Sequence, residues 1–142
     1  MKKIITVGLL IMSTSSLFAQ KISSSKVPAA VKSSFGTNFP GIKDVKWEME
    51  HKNYEANFHS DGKTMSALFD PKGTWLETET DIKVSELPSN VVSYVKKNYK
   101  NASIKEAASI KKANGETNLE AEVNGKDLIF DKDGNFIKAM ND

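Results

Sequence analysis

His51 and His59 are the side chains in this sequence best suited to acid-base or metal chemistry, because the chain contains no cysteine. A hydrolytic triad or a histidine-based metal site would have to use one or both of them. A two-residue turn at Lys52-Asn53 would pair His51 with Tyr54 and place His59 about 17 Å further along the hairpin, at about 3.3 Å per residue. We therefore expect two solvated strand residues that form neither a catalytic pair nor a joint metal site.

The segment Asp131-Lys132-Asp133-Gly134 resembles the start of a calcium-binding loop. An EF-hand loop needs further oxygen ligands and a glutamate at its twelfth position, and the chain does not offer that glutamate. A related segment, Asp70-Pro71-Lys72-Gly73, has no second acid. Asp in first place and Gly in fourth are typical of a type I turn, so we expect a turn in both segments.

Two further groups could carry chemistry. Glu120 and Glu122 lie two residues apart and share one face of a strand, but no apolar neighbour in the strand pattern favours a raised pKa. Trp47, Tyr54 and Phe58 could form a ligand platform, but they fall on the alternating apolar face, and we expect them in the core. The sequence thus predicts no catalytic residue, no cofactor-binding residue and no metal ligand.

The first 19 residues are typical of a secretory signal, with Lys2-Lys3, a short apolar run over Ile4–Met12, and Ala19 before the cleavage point. The apolar run is too short to span a bilayer, so we expect no membrane span after cleavage. The 20 basic residues exceed the 18 acidic ones only through Lys2 and Lys3. All basic residues are lysine, without the bidentate arginine that favours base recognition, so a nucleic-acid partner is not expected.

The remaining chain repeats itself. Val27–Val31 matches Leu87–Val91 at an offset of 60, and Phe69–Leu76 matches Phe130–Ile137 at an offset of 61. Matched blocks in the same order indicate an internal repeat. The predicted organisation is a signal peptide at 1–19, a leader at 20–26 that we expect to be mobile over 20–24, a first repeat at 27–81, a link at 82–86 and a second repeat at 82–142.

Each repeat opens with an amphipathic helix and continues as strands. Val27, Val31, Phe35 and Phe39 recur at every fourth position after Pro28, which fits the first turn of a helix. The apolar period then changes to two, with short turn sequences between the strands. We predict an α+β fold, a tandem repeat of a helix plus a four-stranded antiparallel meander, with both helices packed on one face of a continuous curved sheet.

These elements resemble a known family. The Leu/Val-Pro-x-x-Val helix start, the Val45-Lys46-Trp47 strand, the Tyr54–Phe58 strand and the repeated Phe-Asp-x-x-Gly hairpin resemble PepSY-like domains of exported bacterial proteins, also described as β-lactamase-inhibitor-protein-like. The resemblance covers Val27 to Lys138. It implies a tandem unit on one curved sheet and no catalytic motif, and related folds act as inhibitors or binding modules for extracytoplasmic enzymes.

One apolar set remains outside this scheme. On the sheet face away from the helices, otherwise polar, the alternation predicts four aliphatic residues at equivalent places of the two repeats: Leu68, Leu76, Ile129 and Ile137. They could gather into a protein-contact patch, or the leader, the link or sheet twist could cover them. Trp75 and Phe136 are not assigned to a face, because a one-residue slip exchanges them with their neighbours.

The sequence therefore predicts a non-enzymatic, exported binding or inhibitor-like module, periplasmic or secreted. It would contact an extracytoplasmic protein or peptide through the open sheet face around Leu68, Leu76 and Ile129. The alternative is a carrier or sensor of a small ligand or cation, held in the concavity of the sheet.

Overall fold

The computed structural model describes residues 19–141, which form one antiparallel sheet of nine strands and two α-helices. The strands follow each other in chain order: β1 Gln20–Ile22, β2 Lys46–Glu50, β3 Asn53–Ser60, β4 Lys63–Phe69, β5 Trp75–Ile82, β6 Ala107–Lys112, β7 Thr117–Val123, β8 Lys126–Asp131 and β9 Phe136–Asn141. The α+β tandem fold is confirmed. The predicted signal peptide lies, apart from Ala19, outside the described residues.

The two helices, α1 at Ala29–Asn38 and α2 at Ser89–Asn98, each begin directly after a proline. The fixed φ of Pro28 and Pro88, −55° in both, suits a helix start, where the missing N–H would have no helical partner. Each helix buries two residues four positions apart. Neither helix in residues 19–141 is long and apolar enough to cross a membrane.

Both helices pack on the same face of the sheet and cover two separate core clusters. The first contains Val27, Val31, Phe35, Trp47, Ala56, Phe58, Ala67 and Phe69, and the second contains Leu87, Val91, Val95, Ala107, Leu119, Ala121, Val123, Leu128 and Phe130. In the first cluster the Phe35 ring meets Phe58 edge-on, with centroids 5.1 Å apart. Tyr54 packs against this cluster, so the core interpretation of Trp47, Tyr54 and Phe58 is confirmed.

The predicted leader is part of the sheet, which corrects the expectation of a mobile segment at 20–24. Gln20–Ile22 forms β1, an edge strand whose Ile22 pairs with Trp47 and packs against the first core cluster. The sequence shows no apolar pattern here, because Ile22 is the only one of the three side chains of β1 that reaches the core. A 3-10 turn at Ser24–Lys26 then leads to α1.

The fourth strand of the first repeat also opens the second. Strand β5 is eight residues long, and its last residue, Ile82, pairs with Ala107 as Ile22 pairs with Trp47 one repeat earlier. The predicted link is therefore the end of β5 followed by a 3-10 turn at Val84–Glu86. The two repeats share one continuous ladder.

Two sequence-based placements were wrong by one position. The β2–β3 turn is His51-Lys52, with Glu50 opposite Asn53, because His51 adopts the left-handed conformation at φ 53°. In β6, the apolar pattern Ile104, Ala108, Ile110 predicts that Ala108 and Ile110 face the helices, but in the structure Ala107 faces the helices and these two residues face the other side.

The second error has a local cause. The Lys105 N–H donates to the Glu122 carbonyl, and the Glu122 N–H donates to the Glu106 carbonyl, both at 2.9 Å. Two residues thus oppose one, which is a β-bulge, and the alternation that begins at Ile104 changes face before β6.

Both Asp-x-x-Gly segments are turns, as predicted. The Gly73 N–H donates to the Asp70 carbonyl at 2.9 Å, and Asp70 Oδ1 accepts two backbone N–H groups at 2.9 Å each. Asp131 makes the same contacts in the second repeat, and these hydrogen bonds lower the pKa of both carboxyl groups. The carboxylates of Asp70 and Asp131 therefore stabilise the two turns.

These turns also touch the helices. A β-carbon built on Gly73, at φ +86°, would lie 2.6 Å from the backbone carbonyl oxygen of Ala30 in α1. The equivalent Gly134 lies against Asn90 of α2, whose Nδ2 donates to the Asp133 carbonyl at 2.8 Å. In each repeat the β-turn is therefore fitted to the first turn of the helix.

Gly73→Ala should destabilise the fold because alanine adds both left-handed strain and a backbone clash. Gly115→Ala is the matched control, since Gly115 has φ +89° with open space around it. We expect Gly115→Ala to cost about 1 kcal/mol in the free energy of unfolding, and Gly73→Ala at least twice as much, measured by urea denaturation. Equal losses would contradict the proposed fit between the turn and α1.

Candidate functional site

The face of the sheet opposite the helices, called the open face here, is a surface that neither α-helix covers. In an antiparallel sheet, directly paired residues point to the same side. Starting from Trp47, which packs under α1, the pairing fixes the side of every strand residue. Within residues 19–141, neither α-helix packs against the open face.

The burial of its side chains indicates that the open face is concave. Four of its residues in the second repeat, Ala108, Ile110, Asn118 and Ile129, are at most 8% exposed although no helix covers them. A flat sheet would leave such side chains accessible on one side, so the cover comes from curvature of the sheet and from neighbouring side chains. The fold therefore presents a trough that is formed before any partner arrives.

Acidic side chains line this trough. The pairing places ten of them on the open face: Glu48, Glu50, Glu55, Glu77, Glu79, Asp81, Glu120, Glu122, Asp127 and, at the end of β8, Asp131. Glu48 lies directly opposite Glu55, and Glu122 directly opposite Asp127. Like charges directly opposite each other destabilise a sheet. This arrangement of acidic side chains therefore lowers the stability of the fold.

Four of these acids, Glu48, Glu55, Glu77 and Glu79, are called the acidic cluster here. Glu48, Glu55, Leu68 and Glu77 follow each other in one cross-strand row over β2 to β5. Glu48 is 9% exposed, and its Oε2 is buried with no hydrogen-bond partner among the described residues. A buried acceptor without a partner is costly, and such groups are concentrated at functional positions.

Burial and mutual repulsion change the proton affinity of the cluster. Burial, followed by the charge of Glu50, raises the pKa of Glu55 to about 7, against a smaller opposing effect of a hydrogen bond with Ser66. Burial also raises the pKa of Glu79 to about 8, and the charges of Glu55, Asp81, Glu77 and Asp127 add to it. The pKa values of Glu50 and Asp81 are raised as well, mainly by burial.

The lysines of the open face do not neutralise the cluster. Lys112 lies opposite Glu77, but its Nζ is directed to Glu116, 4.0 Å from Oε2. Lys21, opposite Glu48, lies on the edge strand β1 and is exposed. Over residues 19–141, no ion pair joins Glu48, Glu55, Glu77 or Glu79 to a lysine.

The four aliphatic residues of the expected patch lie in two pairs, one in each repeat. Leu68 is half-buried in the row of the acidic cluster, and Ile129 is only 2% exposed. Leu76 and Ile137 are the extra residues of two bulges, opposite Leu68/Phe69 and Ile129/Phe130, and Ile137 is 50% exposed.

The same bulges settle the faces of the two aromatic residues. Trp75 packs against the first core cluster, and its Nε1 donates to Thr78 Oγ1 at 2.9 Å. Phe136 stacks on Tyr94 of α2 with centroids 4.5 Å apart. Both rings therefore face the helices.

Ile129 and Ile137 also border a groove of about 780 Å³ at the turn end of the second repeat. Its polar lining includes Lys112, Asn118 and Asp131. Ile129 and Ile137 supply the aliphatic surface of the groove, and the rest of its lining is glycine or polar, with charged groups of both signs.

The remaining chemical candidates stay apart. His51 lies in the β2–β3 turn, and His59 lies in β3, where its Nδ1 is 3.4 Å from Thr64 Oγ1. In the described part of the chain, no group of three or more His, Asp or Glu side chains is arranged to hold a metal ion. Glu120 is buried between Ala108 and Ile129, so the expectation of solvated glutamates without apolar neighbours is wrong for this residue.

The acidic cluster was missed at the sequence level. The signal is present as Glu-x-Glu patterns, at Glu48-Met49-Glu50 and Glu77-Thr78-Glu79. Alternating acids are also the usual composition of a solvated strand face. Only the register and curvature of the sheet show that these acids share a buried trough.

The raised pKa values predict that the protein is less stable at mildly alkaline pH. Between about pH 4.5 and pH 8 the folded protein holds protons on Glu55 and Glu79 that the unfolded chain releases, so stability falls as the pH rises through this range. We expect the free energy of unfolding to be lower at pH 8.5 than at pH 5.5 by on the order of 3 kcal/mol.

Urea denaturation at both pH values measures this difference. The double variant Glu55→Gln/Glu79→Gln should lose most of it, whereas Asp44→Asn, which removes an exposed carboxylate, should keep it. A double variant with the wild-type pH dependence would contradict the assignment.

Comparisons with known proteins agree with this architecture. A family model described as "Putative beta-lactamase-inhibitor-like, PepSY-like" matches residues 17–64 and 52–138. No curated protein sequence matches the chain significantly.

Three solved structures show the same fold. A BLIP-like protein of Bacteroides fragilis is 25% identical, with 80% of this chain and 84% of that chain covered and a TM-score of 0.62. A DUF2874 family protein of Bacteroides ovatus is 24% identical, with coverages of 80% and 86% and a TM-score of 0.70. A protein of Bacteroides eggerthii is 16% identical, with coverages of 81% and 88% and a TM-score of 0.72. The two matches of the family model together span residues 17–138, and the chain belongs to the PepSY-like, β-lactamase-inhibitor-like family.

Proposed function

We propose that this protein is a non-enzymatic, periplasmic binding module that contacts a protein partner through its open face. The observation that carries the proposal is the preformed concave face, which spans both repeats and carries neither α-helix. A rigid, curved sheet can bind with little ordering cost, because its shape exists before association. The aliphatic residues Leu68, Leu76, Ile129 and Ile137 are the proposed contact set.

The burial of these residues indicates how contact would occur. Ile137 is half exposed and Leu68 half-buried, so both are accessible to a partner at the margins of the trough. Ile129 is nearly inaccessible and supports the floor. A partner would therefore touch two separate apolar points with acidic surface between them.

The descriptions of similar proteins support both halves of the proposal. The Bacteroides eggerthii structure is titled a "putative periplasmic" protein, which agrees with the predicted signal at 1–19. The Bacteroides fragilis structure is titled BLIP-like, and the family description is β-lactamase-inhibitor-like, which favours protein binding. The family names point to no enzymatic reaction.

A second candidate function is a carrier or sensor of a small ligand. The groove beside Ile129 and Ile137 is the specific observation in its favour, because about 780 Å³ is sufficient for a small organic molecule. We expect such a ligand to raise the melting temperature of the wild-type protein and to have a smaller effect on Ile137→Ser. A thermal-shift screen of sugars, peptides and metals measures this, and a screen without any response would count against the carrier.

The protein-binding proposal predicts that capture depends on the open face. The mature chain, starting at Gln20, is immobilised and exposed to envelope extract, and retained proteins are quantified by mass spectrometry. Leu68→Ser/Ile137→Ser should reduce retention of the partner at least tenfold, since about 1.4 kcal/mol of lost contact corresponds to a factor of ten.

The matched control is Val92→Ser, an apolar-to-polar change on α2, on the opposite side of the sheet. It should retain the partner as the wild type does. A protein retained equally by all three chains would show that the open face is not the contact surface.

A further inference from the structure

We infer that the acidic cluster is a receptor for basic side chains, and that the partner bound on the open face presents a lysine- or arginine-containing segment to Glu48, Glu55, Glu77 and Glu79. The inference rests on the proposed function and adds the chemistry of the partner. It follows from charge, burial and the order of residues in one cross-strand row.

The first step is the uncompensated charge. Glu48 and Glu55 are directly opposite each other, and carboxylates in that position repel. No lysine of the described chain forms an ion pair with either of them, as shown above. A cation between the two carboxylates converts this repulsion into attraction, and a low-dielectric trough strengthens the effect.

The second step is the buried acceptor. Glu48 Oε2 is inaccessible and has no hydrogen-bond donor within residues 19–141, although the Glu48 side chain belongs to the trough. The charge of Glu48 acts on both Glu50 and Glu55, which locates its carboxylate among the other acids. Once the Glu48 side chain rotates toward a bound partner, a guanidinium or ammonium group supplies the missing donors.

The third step is the residue between the acids. Leu68 separates Glu55 from Glu77 in the row, and β3 and β5 are about 9.5 Å apart across β4. A lysine or arginine side chain has an apolar stem and a charged end. The stem can pack on Leu68 while the charged end reaches the carboxylates on either side, so the row suits an amphipathic side chain.

The same spacing favours an organic cation over a metal ion. A metal needs several oxygen ligands at 2.0–2.6 Å from one point, roughly the range for magnesium and calcium. In the part of the chain that the structure describes, no three acidic or histidine side chains converge in this way. Acids spread along a row can instead engage successive basic residues of an extended segment.

Binding should depend on pH because the receptor holds protons near neutrality. Burial and the charges of Glu55, Asp81, Glu77 and Asp127 raise the pKa of Glu79 to about 8. Burial and the charges of Glu50, Glu48 and Glu77 raise the pKa of Glu55 to about 7. His51 acts on Glu50, and His59 and Glu106 act on Asp81, at the two ends of the group. A basic segment must displace these protons, so its affinity rises between pH 6 and pH 8.5.

The test uses the mature chain and capped peptides of six arginines or six citrullines, which have similar shape but different charge. Titration calorimetry at 150 mM salt should show binding of the arginine peptide, at least tenfold weaker binding of the citrulline peptide, and several-fold tighter binding of arginine at pH 8.5 than at pH 6. Glu48→Gln/Glu77→Gln should weaken arginine binding at least tenfold, whereas Asp44→Asn/Glu86→Gln, the control with equal charge change at exposed positions, should alter it less than twofold.

Several outcomes would overturn the inference: equal binding of the two peptides, equal loss in the two glutamine variants, or tight binding of calcium chloride in place of the peptide. Thermal melting of each variant confirms folding. If the envelope partner is lost by Leu68→Ser/Ile137→Ser but retained by Glu48→Gln/Glu77→Gln, the proposed function stands and this inference fails. If no partner depends on the open face yet the arginine peptide binds at the cluster, the protein-partner function fails and the basic-group site remains.

Discussion

The ladder between β5 and β6 is the interaction on which the rest of the structure depends. It pairs Glu77–Ile82 with Ala107–Lys112 and joins the two repeats into one sheet. Because the ladder is continuous, both helices lie on one face and the other face remains uncovered across nine strands. Without this pairing, each repeat would be a separate small unit of about 60 residues, with little core and unpaired edges.

Curvature gives the uncovered face its chemistry. Side chains that would be solvated on a flat sheet, such as Glu48 and Glu120, are less than a tenth exposed here. Burial then raises the pKa values of Glu55 and Glu79 above the pKa of an isolated, exposed glutamate. The electrostatic character of the open face thus arises from the same geometry that leaves it open, and both halves of the chain contribute to it.

The sequence predicted most of the fold because the two repeats give the same pattern twice. The helices follow from apolar residues at every fourth position after Pro28 and Pro88, and the hairpin turns follow from their Asp and Gly positions. The β6 face could not be predicted, because the bulge opposite Glu122 depends on backbone hydrogen bonds that leave no mark in residue type. The β1 strand was missed because Gln20–Ile22 is too short to show alternation.

The candidate site was less predictable than the fold for a physical reason. Glu48 and Glu55 become neighbours only when the β2–β3 register is known, and that register depends on His51 accepting a left-handed φ. A shift of one residue would place Glu55 on the core side. The sequence identified Leu68 as unusual but not the carboxylates on both sides of it. Cross-strand neighbours follow from the positions of the turns, and the sequence pattern places the β2–β3 turn one residue too late.

The double use of β5 has a consequence for how such a protein can change during evolution. Its first half completes one repeat and its last residues begin the next, so the boundary seen in the sequence passes through the interior of a strand. A third copy could be added only by a segment that continues an existing strand, and a single copy could not be removed without exposing a new sheet edge. The duplicated unit is therefore a single repeat, whereas the two repeats depend on each other for a complete sheet, so selection acts on both repeats together.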